Sequence, residues 1–369
     1  MTRRKAGEEE DFIMKEKMKE IFIRSSDPYE RGLQHGSQVK DRIERICAGY
    51  AKTFEKKGYT WDEAKAMAME YVEFLDKEMP DLMMEVRGIA DGSGQELAVI
   101  MLLNARYELL KFKKGVDYFE NNECTCYGIT PEATAEHETI SGQNWDKAEY
   151  VGKELYVVHI DEENGTRIMG VSEPGQLIRN GMNSHGLCLS CSTLLSTKDF
   201  RKVAIPTNFM RRRILQCKTI EEAYALLDAF EPGVSLNYVL ASKTGDVVVY
   251  ETTPVEHYKM YPSRGIVTQG NDIVANPVID RFTPADKDHI HHFRGQRLNE
   301  LLKKKQGEIT TDYIQECLKD HYGYPGSICN HSTDKNLVTI ASTMYCLNRG
   351  YGLICWGNPC EGEYYKFDV

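Results

Sequence analysis

Cys124 opens the run Cys124-Thr125-Cys126-Tyr127-Gly128-Ile129, and a turn-rich stretch later the chain reads Ser141-Gly142-Gln143-Asn144-Trp145-Asp146. A thiolate is a strong nucleophile, but a free thiol near neutral pH is mostly protonated and needs an adjacent base or a lowered pKa. Two sources of that base are open. In an unbroken chain it would be a histidine, and His185 and His331 are the candidates. If the Glu123-Cys124 bond were cut, the freed α-amine would lie within reach of its own sulfur. Such an amine titrates near pH ~8, so it can take and return a proton at neutral pH. Asp146 is then the candidate carboxylate that orients the nucleophile; the plain alternative is a residue closing the hairpin in which Trp145 packs. Cys126, two residues on and facing the same side of a strand, is the rival nucleophile. A cysteine in a strand is also commonly a small buried hydrophobe.

The same residue types also admit a metal reading. The pairs Cys124/Cys126 and Cys188/Cys191 could recruit His289, His291 and His292. Cys188 and Cys191 lie in the apolar, strand-like run Gly186-Leu187-Cys188-Leu189-Ser190-Cys191, where residues three apart face opposite sides of a sheet. The turn residues of a Cys-x-x-Cys knuckle are missing, and no metal or other cofactor is expected. The histidines precede a helical pattern from Phe293 to Lys305 and read as a solvated helix start.

Composition bounds the partners. The chain has 369 residues, 41% hydrophobic and 28% charged, as in ordinary globular proteins. A formal net charge of −10 argues against a nucleic-acid or anionic-membrane surface. No apolar tract approaches the ~20 residues needed to span a bilayer. Residues 1–12, basic and then acidic with no apolar core, read as a disordered tail and not as a secretory signal. Eleven cysteines, an odd number without that signal, make a disulfide framework unexpected and the cytoplasm the expected compartment.

The elements that must position these residues change character near residue 120. Before it, Ile21-Phe22-Ile23 is a strand candidate and Asp27-Pro28 caps a helix expected to run to about Lys57. Helices are expected to open at Thr60-Trp61 and Pro80-Asp81, and a fourth to run from Gln95 to Phe112 with apolar residues near helical spacing. Arg106 on that helix, beside Tyr107 and Glu108, is either half of a buried ion pair or a substrate contact. After residue 123, alternating strands prevail, with hairpins at Glu163-Asn164-Gly165-Thr166 and Lys243-Thr244-Gly245-Asp246. Helices are expected around Phe209–Leu227, Arg294–Lys305 and Thr311–Lys319. Late strands are expected at Leu337–Thr343, Gly352–Trp356 and Tyr364–Phe367. Strands grouped apart from helices imply two antiparallel sheets with helices outside, an α+β layered sandwich.

Several short runs recur in a definite order: Arg31-Gly32-Leu33-Gln34-His35-Gly36, Gly88-Ile89-Ala90-Asp91-Gly92, Leu103-Asn104-Ala105-Arg106-Tyr107-Glu108, Cys124-Thr125, Gly142-Gln143-Asn144-Trp145-Asp146, Gly181-Met182-Asn183-Ser184-His185-Gly186-Leu187 and Gly357-Asn358-Pro359. In these the chain resembles the N-terminal-nucleophile (Ntn) hydrolases. Within them it is most similar to the acyl-coenzyme A:6-aminopenicillanic acid acyltransferase (isopenicillin N acyltransferase) and C45 peptidase family, with the choloylglycine hydrolases as relatives by fold.

The resemblance implies a four-layer αββα sandwich over residues 13–369, cut by itself between Glu123 and Cys124 into associated chains 1–123 and 124–369. It implies Cys124 as nucleophile, its new amine as base, and Asp146 as the acid that holds the amine. Asn271, in Gly270-Asn271-Asp272-Ile273, is the counterpart of the oxyanion-binding asparagine. Glu123 stands where glycine is common, and Cys191-Ser192-Thr193 stands where relatives often carry an asparagine, which makes the Thr193 hydroxyl the candidate second oxyanion or substrate contact. The implied activity is that of an amidohydrolase or N-acyltransferase on the linear amide of an N-acyl small molecule or short peptide. An acyl-coenzyme A is a further donor class, and a homo-oligomer is compatible with it.

Overall fold

The computed structural model describes residues 16–113, 116–117, 124–162, 165–281, 290–332 and 337–369. The expected tail at 1–12 and Glu123 lie outside them, as do His289 and the side chains of His291 and His292.

After strand β1 (Glu20–Arg24), the first third is helical: α1 (Pro28–Gln38), α2 (Lys40–Lys56), α3 (Trp61–Met69), α4 (Val72–Glu78), α5 (Pro80–Ser93) and α6 (Leu97–Leu110). The starts are those dictated by local chemistry. Asp27 accepts from Glu30 N ahead of Pro28, and Thr60 and Glu63 form a reciprocal capping box. The expected single helix to Lys57 is broken at Val39, whose φ of −127° and ψ of 21° leave the helical region. The break follows from packing. A Cβ on Gly32 would lie 2.0 Å from the Glu85 carbonyl oxygen, and one on Gly88 would lie 2.1 Å from that of Tyr29; Gly36 and Gly92 are as tightly placed. This glycine seam sets the course of α1 against α5, while α2 must bury Ile43, Ile46, Tyr50 and Phe54, which one straight rod could not also do. Helix α6 is buried on almost every side and has no polar stripe. Its buried Arg106 and Glu108 must therefore find partners inside the molecule.

A small hairpin, β2 (Phe112–Lys113) and β3 (Val116–Asp117), leads to the strand-rich remainder. In chain order this holds β4 (Thr125–Ile129), β5 (Ile140–Lys147), α7 (Glu149–Gly152), β6 (Tyr156–Asp161), β7 (Arg167–Ser172), β8 (Gly181–Asn183), β9 (Leu187–Thr193), α8 (Thr207–Ile214) and α9 (Ile220–Asp228). There follow β10 (Leu236–Ser242), β11 (Val247–Thr252), β12 (His257–Met260), β13 (Ile266–Gln269), α10 (Ile290–Lys303), α11 (Thr311–Leu318), β14 (His331–Ser332), β15 (Leu337–Cys346), β16 (Tyr351–Trp356) and β17 (Tyr364–Asp368). The helix expected over 209–227 is two, because Thr219 accepts from Glu222 N and caps a new start.

One sheet runs β1-β6-β7-β8-β9-β10-β11-β12, and the other β13-β4-β5-β15-β16-β17 with β14 on β15. The described pairings of these sheets are antiparallel except β1 with β6. The sheets face each other: a Cβ on Gly128 of β4 would meet Val247 and Val239 across the gap. Helices α1–α6 share the larger core with the first sheet, while Leu298 and Leu302 of α10 and Ile314 and Leu318 of α11 cover the outer face of the second. The order helices, sheet, sheet, helices is the αββα sandwich expected. No helix among the described residues is long and apolar enough to cross a membrane.

Candidate active site

The second sheet places the candidate residues side by side. Strands β4 and β5 pair Thr125 with Asn144, and β13 and β4 pair Gln269 with Cys126. Extending both registers past the strand ends sets Cys124 level with Trp145 on one side and Asn271 on the other. Asp146 in turn pairs directly with Thr339 of β15. A nucleophile candidate, its flanking asparagine and a carboxylate thus come from three neighbouring strands because hydrogen-bonded registers align them.

Cys124 is only 5% exposed. Its backbone N–H donates to Asn271 Oδ1 at 3.1 Å, and its Sγ lies 4.0 Å from the Asp146 carbonyl oxygen. Asn271 Oδ1 also accepts from Arg294 Nη2 at 2.9 Å, and its Nδ2 donates to the Thr193 carbonyl at 2.9 Å. Two donors converge on the same atom, which identifies it as the amide oxygen. In the intact chain Asn271 therefore grips the nucleophile's nitrogen through Oδ1, while one of the two N–H donors on its Nδ2 is engaged by the Thr193 carbonyl. The Asp146 carboxylate accepts from Thr339 Oγ1 at 2.6 Å and from Asn330 Nδ2 at 3.2 Å. Burial, and after it the neighbouring Asp146 charge, pushes the Cys124 thiol up to about 12, against the opposing pull of Arg294 and Arg179. The buried thiol is protonated at neutral pH.

Cys124 and Asp146 open onto a cavity of about 30 Å³, whose lining includes Arg106, Lys147, Thr193, Arg179 and Arg211. In the uncut chain that volume suits a water, and a substrate would enter only once the cleft widens. Its walls are cationic. Arg106 and Lys147 meet Glu173 at 2.8 and 2.9 Å, and Arg179 pairs with the same carboxylate. Burial alone would raise Glu173; the surrounding cations outweigh it and hold the carboxyl well below the usual range. Burial lowers Arg179 to about 9, with Glu173 opposing and Arg106 adding to the fall. Arg106 is thus both a buried ion-pair partner and a wall of the cleft. Thr193, at the end of β9, is a wall as well.

The rival residues fall elsewhere. Cys126 is fully buried, its Sγ 3.8 Å from Gln143 Oε1, and it does not line the cavity. His185 meets Thr166 Oγ1 at 3.0 Å, and His331 lies beside Cys329 and Cys360. Among the described residues no histidine lines the cavity. Sequence reasoning missed Arg294, Arg179, Arg211, Asn330 and Thr339. None carries a local signal: Arg179 and Arg211 reach the cleft, Arg294 reaches Asn271, and Asn330 and Thr339 reach Asp146 only through strand order or helix docking.

The family model described as acyl-coenzyme A:6-aminopenicillanic acid acyl-transferase matches residues 133–361. The 40 kDa form of acyl-coenzyme A:6-aminopenicillanic-acid-acyltransferase from Emericella nidulans is 24% identical over 308 residues, 82% of either chain. Among solved structures, a mutant conjugated bile acid hydrolase from Clostridium perfringens aligns with a TM-score of 0.42 and 15% identity, over 66% of this chain and 97% of the other. Penicillin V acylase from Agrobacterium tumefaciens aligns with a TM-score of 0.41 and 12% identity, over 67% and 86%. The family match spans well over half of the sequence and includes Asp146, Thr193 and Asn271: the chain belongs to the acyl-coenzyme A:6-aminopenicillanic acid acyl-transferase family and is an enzyme of the amide-hydrolase or N-acyltransferase class.

Proposed function

We propose that this protein is a self-processing cysteine amidohydrolase or acyltransferase, acting through a thioester on Cys124. The observation that carries the reading is the grip of Asn271 Oδ1 on the Cys124 nitrogen, beside Asp146 and inside a polar cleft. A backbone nitrogen held by a side chain at the mouth of a strand is poised to become a positioned amine.

In the first event, Cys124 Sγ attacks the Glu123 carbonyl, the peptide nitrogen leaves with a proton as the α-amine, and water hydrolyses the resulting thioester. Chains 1–123 and 124–369 result. In turnover the amine takes the thiol proton and sulfur attacks the substrate amide. The amine then returns the proton to the leaving nitrogen, and water or a second amine accepts the acyl group. Asp146, fixed by Thr339 and Asn330, holds the amine in place. Thr193 and Asn271 are the candidate oxyanion contacts, and one such donor is worth about 3 kcal/mol in the transition state.

Hydrolysis is the favoured fate, with an acyl-coenzyme A as donor in the transfer variant. The guanidinium-rich wall of Arg106, Arg179 and Arg211 favours a substrate bearing a carboxylate, such as an N-acyl amino acid or a short peptide. All eleven cysteines are free thiols, which supports a reducing, cytoplasmic setting. Intact mass measurement of the purified protein, followed by a screen of N-acyl amino acids, β-lactams and bile salt conjugates, tests the reading. Two fragments divided at Glu123-Cys124 and release of a free amine from one class are expected. A fully active, uncut protein would sink the N-terminal mechanism.

A further inference from the structure

We propose that His321, Cys329, His331 and Cys360 form a tetrahedral site for a structural zinc ion. One ligand atom from each lies within 4.8 Å of the others. Three edges of the cluster are tighter: Cys329 Sγ to Cys360 Sγ is 3.5 Å, and each sulfur is 3.4 Å from His331 Nε2. A tetrahedral ion with metal–sulfur bonds near ~2.3 Å and metal–nitrogen bonds near ~2.0 Å holds its ligand atoms roughly 3.3–3.8 Å apart, so these three edges need only a slight expansion while His321 must draw in. The sulfurs are well beyond the ~2.05 Å of a disulfide. Both cysteines are free, and both aim at the same imidazole nitrogen. Two thiolates and two neutral imidazoles are a ligand set that selects zinc, and with it the site would be charge-neutral after release of two thiol protons.

The surroundings are built for this. Asn358 Nδ2 donates to Cys329 Sγ at 3.4 Å and to the Asn330 carbonyl at 2.8 Å, an amide contact suited to a thiolate. Cys329 N donates to the Asp320 carbonyl and His331 N to that of Pro325, so the ligand-bearing loop is already shaped. His321 is exposed and lies edge-on to His331, 5.1 Å between ring centroids, which places it as the outer ligand.

The site joins two parts of the chain, the loop after α11 and the turn between β16 and β17. Asn330 stands between two of the ligands and donates to Asp146 Oδ2, so the ion would also brace the carboxylate of the cleft. The geometry is independent of whether Cys124 is a nucleophile.

The test uses the full chain, purified under reducing conditions without a chelator and with any affinity tag removed. Elemental analysis is expected to find one zinc per chain. Cobalt exchange is expected to give thiolate-to-cobalt charge-transfer and tetrahedral d–d absorption bands. Cys329→Ser and Cys360→Ser should lose the metal. His321→Ala, an exposed change compatible with folding, should weaken zinc about tenfold or more against a chromophoric chelator. Cys124→Ala should keep its full metal content, which separates this site from the proposed catalytic one. A reconstituted wild-type chain holding no stoichiometric zinc, unchanged affinity in His321→Ala, or a Cys329–Cys360 disulfide persisting in reductant would each overturn the assignment.

Discussion

Thr339 is a residue whose role is visible only in its contacts. Its hydroxyl donates to Asp146 Oδ1 at 2.6 Å, and a hydrogen bond to a charged group contributes about 1.5–3 kcal/mol. If Asp146 positions the reacting amine, Thr339→Val should lower kcat roughly 10–100-fold with KM little changed, and Thr339→Ser should restore most of it. Equal loss in the serine variant would point to a packing role. The two cysteines of β4's start separate in the same way. Cys124→Ala should leave one chain of full mass and no turnover, whereas Cys126→Ala should still divide at residue 123, as mass spectrometry would show. His35 makes a residue-scale prediction about stability. It is buried against Tyr156, and burial, with the Arg212 charge second, lowers it from 6.5 to about 4. Below pH 6.5 the unfolded chain takes up a proton that the folded one refuses, so stability is full above 6.5 and falls as pH drops toward 4. His35→Gln should flatten the urea-unfolding profile across that window by up to about 3 kcal/mol.

At the scale of elements, the tightest constraint is the seam between α1 and α5. Gly32, Gly36, Gly88 and Gly92 bring the two backbones so close that an added methyl group overlaps carbonyl oxygens. Gly88→Ala should cost about 1–3 kcal/mol, or more if the helices must separate, and appear as a lower thermal midpoint. Both Gly-x-x-x-Gly spacings could be read in the sequence, and so could the caps at Asp27 and Thr60. The partnership of the two glycine pairs could not, since it depends on how α5 returns past α1. The break at Val39 was hidden for the same reason: propensity allows one helix there, and tertiary packing demands two. Strands β12 and β13 were also missed. They are four residues each, and β12 is only partly buried, so alternation in their sequence is weak.

At the scale of the whole molecule, the proposed cut would not divide the fold. Helices α1–α6 and the strands after Cys124 share one core, and buried contacts such as Arg106 with Glu173 and Tyr107 with the Ser235 carbonyl cross the cut. The fragments should run as two bands on a denaturing gel and elute as one species from a native sizing column; separation without denaturant would contradict a shared core. Cys124, Asp146 and Asn271 could be singled out as candidates because each sits in a short run whose residue types and order are specific, and the structure brings the three together. The layered sandwich was legible because strand alternation and helical spacing are local properties of the chain. The tertiary structure alone decided what surrounds them. Thr339 meets Asp146, Arg294 meets Asn271 and Cys360 meets Cys329 across separations that no local pattern encodes, because strand order and helix docking bring together what the linear chain keeps apart.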